Sequence, residues 1–171
     1  MNVIMESDRL LFVKVCNELV DDYLVMVNDL DTQRFLSAEQ KVYTKDEELD
    51  WVHRKLTEGK DIVYSLIDKD TNKFVGNISL MDVEEDTAEL GIVITREYQN
   101  KHYGMEAMKR ILEYVKEDLK LKTITLIVYS NNERAIHCYE KLGFIITKIE
   151  KNVAKINGES VDDLYMIKKI A

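Results

Sequence analysis

The sequence predicts an α/β protein with a central, mostly antiparallel mixed sheet and about four flanking helices. Short apolar runs rich in strand-forming residues alternate with longer segments of helical periodicity. A strand, a helix and a second strand follow one another across residues 88–129, which implies a parallel crossover. Turn signals at residues 68–72 and at Asn157-Gly158 predict antiparallel hairpins on either side of that crossover.

The first half of the chain begins with a predicted strand at residues 10–15 and a helix from about 17 to 30. Thr44 and Glu47 have the spacing of a capping box, in which two side chains satisfy free backbone donors at a helix start. The helix that follows has a predicted apolar stripe and ends near Gly59; the stripe is Leu49, Val52 and Leu56. Residues 62–67 and 74–80 then form the first hairpin.

The second half carries the predicted crossover. A strand at residues 88–94 leads through a polar loop to a helix at 105–119, and a strand follows at 123–129. Ser130 and Glu133 have capping-box spacing and open a further helix, which stops at Gly143. Two late strands joined at Asn157-Gly158 complete the predicted sheet.

Length and composition favour one domain over residues 1–171. The chain has 171 residues, 46% hydrophobic and 33% charged, with no proline and no Gly/Ser linker to mark a boundary. The formal net charge of −8 argues against a general nucleic-acid binder and is compatible with a cationic substrate. Cys16 and Cys138 lie far apart and have no metal-ligand or dithiol spacing, so no metal site is expected.

The beginning of the sequence shapes the expected location. Acidic residues appear before any sustained apolar region, a pattern unlike a secretory signal peptide, and no apolar run approaches the roughly 20 residues needed to cross a bilayer. We therefore expect a cytoplasmic protein that binds no membrane. A homodimer stays open as an alternative to a monomer.

The junction between strand 88–94 and the next helix has the features of an anion site. Free N–H groups converge at a helix N-terminus, and the helix dipole adds roughly half a positive charge, which suits a phosphate or pyrophosphate. Gly104 would let a ligand approach the backbone closely. A second polar segment, Asn132-x-x-Ala135-Ile136-x-x-Tyr139-Glu140-Lys141-x-Gly143-Phe144, follows the strand predicted to pair in parallel with the first.

These two segments together resemble the GNAT superfamily of acetyl-CoA-dependent N-acetyltransferases. Gln99-x-x-His102-x-Gly104 is similar to the family's pyrophosphate loop, and the Asn132 to Phe144 pattern is the more specific match. Residues 156–166 further resemble the branch of polyamine and ribosomal-protein N-terminal acetyltransferases. The resemblance implies a GNAT-like fold in which the parallel strand pair is splayed around acetyl-CoA.

The resemblance also implies which residues bind acetyl-CoA. Backbone groups of the strand would pair with the pantetheine arm, loop amides would hold the pyrophosphate, and Asn132 would contact the pantetheine or the thioester. The implied strand positions are Ile92, Val93 and Ile94, and the implied loop positions are Gln99, Asn100, Lys101, His102, Tyr103 and Gly104. Asn100 and His102 stand where the family often has glycine, and both residue types tolerate left-handed backbone angles at modest cost.

Two residues are the candidates for catalysis. Tyr139 would donate a proton to the departing thiolate, the alternative being a core tyrosine that packs on Phe144. Glu89 would draw a proton from the substrate ammonium, because only a neutral amine attacks a thioester; a structural or solvent-facing glutamate is the alternative. His53 and His137 are assigned to surface or packing roles.

The resulting hypothesis is an N-acetyltransferase that moves an acetyl group from acetyl-CoA to a primary amine by direct attack. The acceptor would be a small polyamine-like molecule or a protein N-terminus. A non-catalytic CoA-binding or sensing module is the competing hypothesis, and a domain that has lost the cofactor is the third.

Overall fold

The fold is known from a computed structural model that describes residues 1–37 and 39–170. Within those residues it contains eight strands and five α-helices. The strands are β1 (Val3–Glu6), β2 (Leu10–Lys14), β3 (Ile62–Asp68), β4 (Phe74–Met81), β5 (Thr87–Ile94), β6 (Thr123–Tyr129), β7 (Ile145–Ile156) and β8 (Glu159–Lys169). The helices are α1 (Val20–Val27), α2 (Leu30–Gln33), α3 (Lys45–Thr57), α4 (Tyr103–Tyr114) and α5 (Glu133–Lys141).

All eight strands form one sheet in the order β1-β2-β3-β4-β5-β6-β8-β7. Neighbouring strands are antiparallel except for β5 and β6, which are parallel and joined by α4. Only three register pairs join β5 to β6, and the last is Glu89 opposite Thr125. Beyond that pair the two strands diverge, so a gap opens within the sheet. The predicted mixed sheet with a splayed parallel pair is confirmed.

The helices cover the sheet unequally. A large apolar core on one face joins β2 to β6 and β8 with α4 and α5; Leu66, Ile78, Ile111 and Met166 are fully buried in it. On the opposite face, a smaller core formed by α1 and α3 covers β2, β3 and β4 and reaches Val93 of β5. The opposite face of β6, β8 and β7 lies outside this smaller core.

Several predicted local features are confirmed. Thr44 accepts a hydrogen bond from the Glu47 N–H at 3.2 Å, and the Glu47 carboxylate accepts one from the Thr44 N–H at 3.1 Å, completing the capping box. Gly59 and Gly143, at φ +67° and +94°, follow the ends of α3 and α5. Both conformations are costly for residues with a Cβ, which is why glycine ends these helices.

Other local predictions are wrong in detail. Leu56 is 54% exposed, because α3 turns Glu48 and Val52 inward and a 2.6 Å Lys55–Asp61 ion pair holds its last turn. The residue that caps α5 is Asn132, whose side chain accepts from the Ala135 N–H. The capping box expected at Ser130 does not form, since that hydroxyl accepts a hydrogen bond from the Asp162 N–H on β8.

The remaining differences concern element ends. The helix predicted from about residue 17 begins as a 3-10 turn and its α-helical part ends at Val27. The helix predicted to residue 119 becomes a π-helical turn after Tyr114. Strand β1 and the one-turn helix α2 are additions to the prediction, and both are only four residues long. No helix in residues 1–37 and 39–170 has the length and apolar character needed to cross a membrane.

Candidate active site

A cleft of about 370 Å³ lies at the gap, between β5, the loop before α4, and α5. Ten of the twelve predicted site residues line it: Ile92, Val93, Ile94, Gln99, Asn100, His102, Tyr103, Gly104, Asn132 and Tyr139. Lys101 and Glu89 do not. Thr32, Phe35 and Leu36, which follow α1, close one end of the cleft. No motif in the sequence pointed to these three residues, because α2 is too short to show periodicity.

The backbone of β5 directs the N–H and C=O groups of alternate residues to the gap. Alternate residues of a strand direct their N–H and C=O groups to opposite edges. The Thr95 N–H donates to the Val75 carbonyl of β4 at 2.9 Å, and the Val93 carbonyl faces Gly76 of β4. Ile92 and Ile94 therefore face the gap. The expectation for Val93 needs correction, because its backbone groups are directed to β4.

The loop between β5 and α4 has left-handed backbone angles at the two positions where the family often has glycine. Asn100 and His102 have φ values of 61° and 66°, so both take the left-handed conformation that glycine normally supplies. His102 is the N-cap residue of α4, and the first turn of this helix opens onto the cleft. The Gln99 side chain donates to the Ile94 carbonyl at 2.8 Å and holds the loop against β5. The arrangement presents a helix N-terminus to a ligand in the cleft.

Electrostatically, the cleft differs from the protein as a whole. Among the described residues that line it, none is aspartate or glutamate, although the chain carries a net charge of −8. Arg134 and Lys141 of α5 contribute cationic side chains, and His137 lies between them. Arg134 also donates to the side chain of Asn100 across the mouth of the cleft. A polyanionic ligand would meet no carboxylate in this cleft.

Sequence reasoning missed the cationic contribution of α5. Arg134, His137 and Lys141 are spaced three and four residues apart, which places them on one helical face. That spacing was the signal available in the sequence. His137 is exposed, in keeping with a surface role, and it also lines the cleft.

Asn132 and Tyr139 enter the cleft from opposite ends of α5. The side-chain oxygen of Asn132, Oδ1, accepts the capping hydrogen bond from the Ala135 N–H. Its side-chain NH2 group does not take part in the cap. Tyr139 is 9% exposed and lies in the large core, with its ring 6.0 Å from the ring of Phe144. Burial, and to a lesser extent Cys138, raises the pKa of Tyr139 to about 12. The phenol is therefore protonated at physiological pH and can act as a hydrogen-bond donor.

Glu89 lies on the other face of the sheet from Tyr139. Its neighbours Ala88 and Leu90 are buried in the large core, so strand alternation directs the Glu89 side chain to the opposite face. It is the last residue of β5 paired with β6, and thus lies at the start of the gap. Burial, followed by the charge of Asp82, raises its pKa above the usual glutamate value.

Further carboxylates surround Glu89 on what we call the acidic face, defined by Glu89, Glu150 and Asp163. Asp163 pairs with Glu150 across β8 and β7, and burial followed by the charge of Glu150 raises its pKa. Tyr165 donates to Glu150 at 3.0 Å, and the charges of all three carboxylates contribute to raising its pKa. One cation, Lys148, lies beside this group, 4.9 Å from the Tyr165 ring centre. The acidic face suits a cationic ligand.

Lys101 and Tyr103 occupy supporting positions in the loop. Lys101 is not part of the cleft lining, and its ammonium lies 5.8 Å from the Tyr98 ring centre. The Tyr103 hydroxyl donates to the buried carboxylate of Asp68 at 3.0 Å. In the part of the chain that is described, no three His, Cys, Asp or Glu side chains are grouped as metal ligands would be.

Comparisons with curated proteins find relatives among N-acetyltransferases. Spermidine N(1)-acetyltransferase of Escherichia coli K12 is 40% identical over 72 residues, which cover 42% of this chain and 39% of that protein. L-amino acid N-acetyltransferase AaaT of the same organism is 34% identical over 79 residues, covering 46% of this chain and 49% of that protein. The chain thus spans less than half the length of these two relatives.

Solved structures share the whole architecture. Spermidine N-acetyltransferase from Vibrio cholerae, in complex with CoA and spermine, superposes with a TM-score of 0.86 at 21% identity, covering 94% of this chain and 95% of that one. A GNAT-family acetyltransferase from Bacillus anthracis gives 0.83 at 23% identity, covering 99% of each chain. At sequence identities of 21% and 23%, the structural similarity shows that these proteins share the fold.

The family assignment comes from a family model. The model described as an acetyltransferase (GNAT) domain matches residues 9–145, which include β2 to α5 and therefore both the loop before α4 and the Asn132 to Phe144 segment. The chain belongs to the GNAT acetyltransferase family.

Proposed function

We propose that this protein transfers an acetyl group from acetyl-CoA to a primary amine on a small, polyamine-like cation. One observation carries the proposal: the gap between β5 and β6 has a cleft without carboxylates on one side and the acidic face on the other. Two substrates of opposite charge could meet at such a gap. The relatives named above act on spermidine or amino acids, which carry the amine that the reaction requires.

The residues present fit acetyl-CoA as the donor. The pyrophosphate would bind at the N-terminus of α4, where Gly104 adds no side chain and no carboxylate lines the described cleft. The pantetheine arm would pair with the backbone of Ile92 and Ile94 along the edge that β6 leaves open. Arg134 and Lys141 would add charge complementarity to the phosphates.

The chemistry needs two protons removed from the amine nitrogen and one negative charge stabilised on the carbonyl oxygen. The acceptor binds as an ammonium, and Glu89 takes its proton directly or through water, so that the free amine attacks the thioester carbonyl. The new C–N bond forms, the C–S bond breaks with its electron pair on the CoA sulfur, and the second nitrogen proton passes through water to that thiolate as the neutral amide forms. A backbone N–H at the β5 edge stabilises the oxyanion, an interaction of roughly 3 kcal/mol in comparable sites.

Tyr139 would act on the leaving sulfur. Because its pKa is about 12, its phenol is a weaker acid than a thiol of reference pKa about 8.5. A hydrogen bond from the phenol to the thiolate therefore fits better than complete proton transfer. A phenol of reference pKa about 10 is already the weaker acid, and the burial of Tyr139 widens the difference, so the full proton donation expected from the sequence is disfavoured.

The acceptor assignment follows from the acidic face. Carboxylates at Glu89, Glu150 and Asp163 would hold an ammonium in line with the gap and further ammonium groups along β8 and β7. A linear polyamine has charges spaced along its length and matches this arrangement. A protein N-terminus presents one amine, and is the alternative acceptor.

The test is an acetylation screen read by release of free thiol from acetyl-CoA. The panel contains spermidine, spermine, amino sugars, amino acids and basic peptides, with a reaction lacking amine as the blank. Spermidine or spermine should give the highest kcat/KM. Binding of CoA without thiol release on any amine would instead identify a binding or sensing module. No calorimetric heat with CoA would exclude both.

A further inference from the structure

One arginine outside the cleft, Arg9, contacts the loop of residues 99–104 and α4 at three places. Arg9 lies immediately before β2, and its Nε donates to the Glu106 carboxylate of α4 at 2.7 Å. Its Nη1 donates to the Lys101 carbonyl at 3.1 Å, and its guanidinium carbon lies 4.0 Å from the Tyr103 ring centre. Arg9 thus joins the N-terminal strands to a loop 92 residues away along the chain.

The loop needs such external contacts because its backbone is unfavourable by itself. Asn100 and His102 both have positive φ, a conformation less favourable than right-handed angles for residues with a Cβ. The His102 side chain makes no capping hydrogen bond at the start of α4. The contacts made by Arg9 fall on Lys101, between these two residues, and on Tyr103, directly after them.

Arg9 also neutralises a charge that opposes anion binding. Glu106 is a half-buried carboxylate in the first turn of α4, where an anion is expected to bind. Its oxygens accept hydrogen bonds from the Ser7 hydroxyl at 2.6 Å and from the Arg9 N–H at 2.7 Å, besides the Arg9 side chain. With Arg9 removed, that carboxylate would lower the anion affinity of the helix N-terminus.

We propose that Arg9 is a positioning residue that holds residues 99–104 in the conformation that binds the pyrophosphate of acetyl-CoA. It does not line the cleft, so it acts through Lys101, Tyr103 and Glu106. The inference rests on the proposed function for the identity of the ligand. It predicts a specific defect: loss of affinity for the pyrophosphate-containing part of the donor alone.

The experiment compares Arg9→Met with Arg110→Met. Arg110 is a matched control because it also joins α4 to the N-terminal strands, through a 2.9 Å hydrogen bond to the Glu6 carbonyl, without touching the loop. Amide hydrogen exchange of residues 99–104 is measured without ligand, and CoA affinity by calorimetry. Donor use is then compared for acetyl-CoA and S-acetylpantetheine, which lacks the pyrophosphate and nucleotide.

Arg9→Met should speed exchange in the loop and raise the Kd of CoA about tenfold, as expected if about one molecule in ten keeps the binding conformation. With acetyl-CoA as the donor, kcat/KM should fall by the same factor of about ten. With S-acetylpantetheine, kcat/KM should stay within about twofold of the wild-type value. Arg9→Lys, which keeps the charge without the planar fork, should lie between the wild type and Arg9→Met. Arg110→Met should resemble the wild type throughout.

Three results would overturn the inference: unchanged exchange in the loop, unchanged CoA affinity, or an equal loss with both donors. The last result would mean general destabilisation. Failure of the proposed function gives a different pattern, in which the wild type binds CoA but acetylates no amine. In that case the hydrogen-exchange and CoA-affinity measurements still decide the role of Arg9. A wild type that binds no CoA would remove both proposals.

Discussion

The two faces of the sheet at the β5–β6 gap differ in charge and in the kind of group they offer. The cleft face presents backbone edges, a helix N-terminus and the cations Arg134 and Lys141. The acidic face presents the carboxylates Glu89, Glu150 and Asp163. Both face the same opening, because β5 and β6 stop pairing after Glu89.

This difference shows why net charge alone misleads. A chain of net charge −8 is expected to repel a polyanion, yet its cleft is lined by no described carboxylate. Under the proposed function, the acidic surplus attracts the amine, while local amides and cations bind acetyl-CoA. Separation of the two fields on opposite faces would also keep each substrate out of the other's site. The cleft face and the acidic face are therefore two binding regions of opposite charge, and substitutions in each can be tested separately.

The largest effect is expected on the cleft face, from Tyr139→Phe. Loss of the phenol removes the hydrogen-bond donor for the leaving sulfur, so kcat should fall about 100-fold or more. The Kd of CoA should stay within about twofold, because loop amides rather than the phenol hold the pyrophosphate. Turnover measured by thiol release and affinity measured by calorimetry check the two halves of this prediction.

Tyr114→Phe is the matched control for that substitution. Tyr114 ends α4 and packs edge-on against Tyr64 outside the cleft lining, so the same loss of a hydroxyl should leave turnover near the wild-type value. If Tyr139→Phe retained full turnover, Tyr139 would be a core residue that packs on Phe144, and the cleft face would contribute binding alone.

A smaller and pH-dependent effect is expected on the acidic face, from Glu89→Gln. With Glu89 in place, kcat/KM for the amine should be level from the carboxyl pKa up to the amine pKa of about 10. Since burial raises the Glu89 pKa, its acid limb should lie above the usual glutamate range. The Gln variant would use only amine already neutral in solution, so its rate should rise tenfold per pH unit.

For Glu89→Gln, both the size of the loss in kcat/KM and its direction of change with pH can be stated. At pH 7 the loss should be at least about tenfold, and it should shrink towards pH 10 as the amine loses its proton in solution. Asp163→Asn is the control, since it removes a charge from the same face and should raise KM for the amine without changing the slope. Parallel profiles for wild type and Glu89→Gln would leave Glu89 as a structural carboxylate.

Much of this arrangement could be predicted from the sequence, because it depends on local patterns. Strand and helix periodicity gave the parallel crossover, and the polar segment before Gly104 gave the loop. The left-handed conformations of Asn100 and His102 follow from what those residue types tolerate. These features depend on neighbours in sequence.

Features that depend on distant contacts could not be predicted in this way. Ser130 has capping-box spacing, yet its hydroxyl is used by β8, which lies about thirty residues further along. Arg9 appears in the sequence as an isolated cation, and only the fold brings it to Lys101 and Glu106. The assignment of Glu89 and Tyr139 to opposite faces likewise needed the sheet register.

The smallest effect is expected from substitution of Gly104. This substitution tests whether the ligand in the cleft contacts the backbone at a position that has no side chain. A Cβ at this position would lie 3.6 Å from Ile94 and 3.9 Å from Ile92, both ordinary contacts, so packing does not require glycine there. Gly104→Ala should stabilise the protein by about 0.5 kcal/mol, because alanine favours the helix, and thermal unfolding without ligand checks this.

The same methyl group would enter the cleft, and an intrusion costing about 1 kcal/mol raises the Kd of CoA about fivefold. Gly104→Val should weaken CoA further. Gly91→Ala is the counterpart on the opposite face, where the new Cβ meets the side chains of Ser79 and Met81, and it should leave CoA affinity unchanged. A more stable Gly104→Ala that binds CoA less well would mean that glycine is kept for the ligand. Unchanged CoA affinity in Gly104→Val would place the pyrophosphate elsewhere, and the two faces would then differ in charge without differing in ligand.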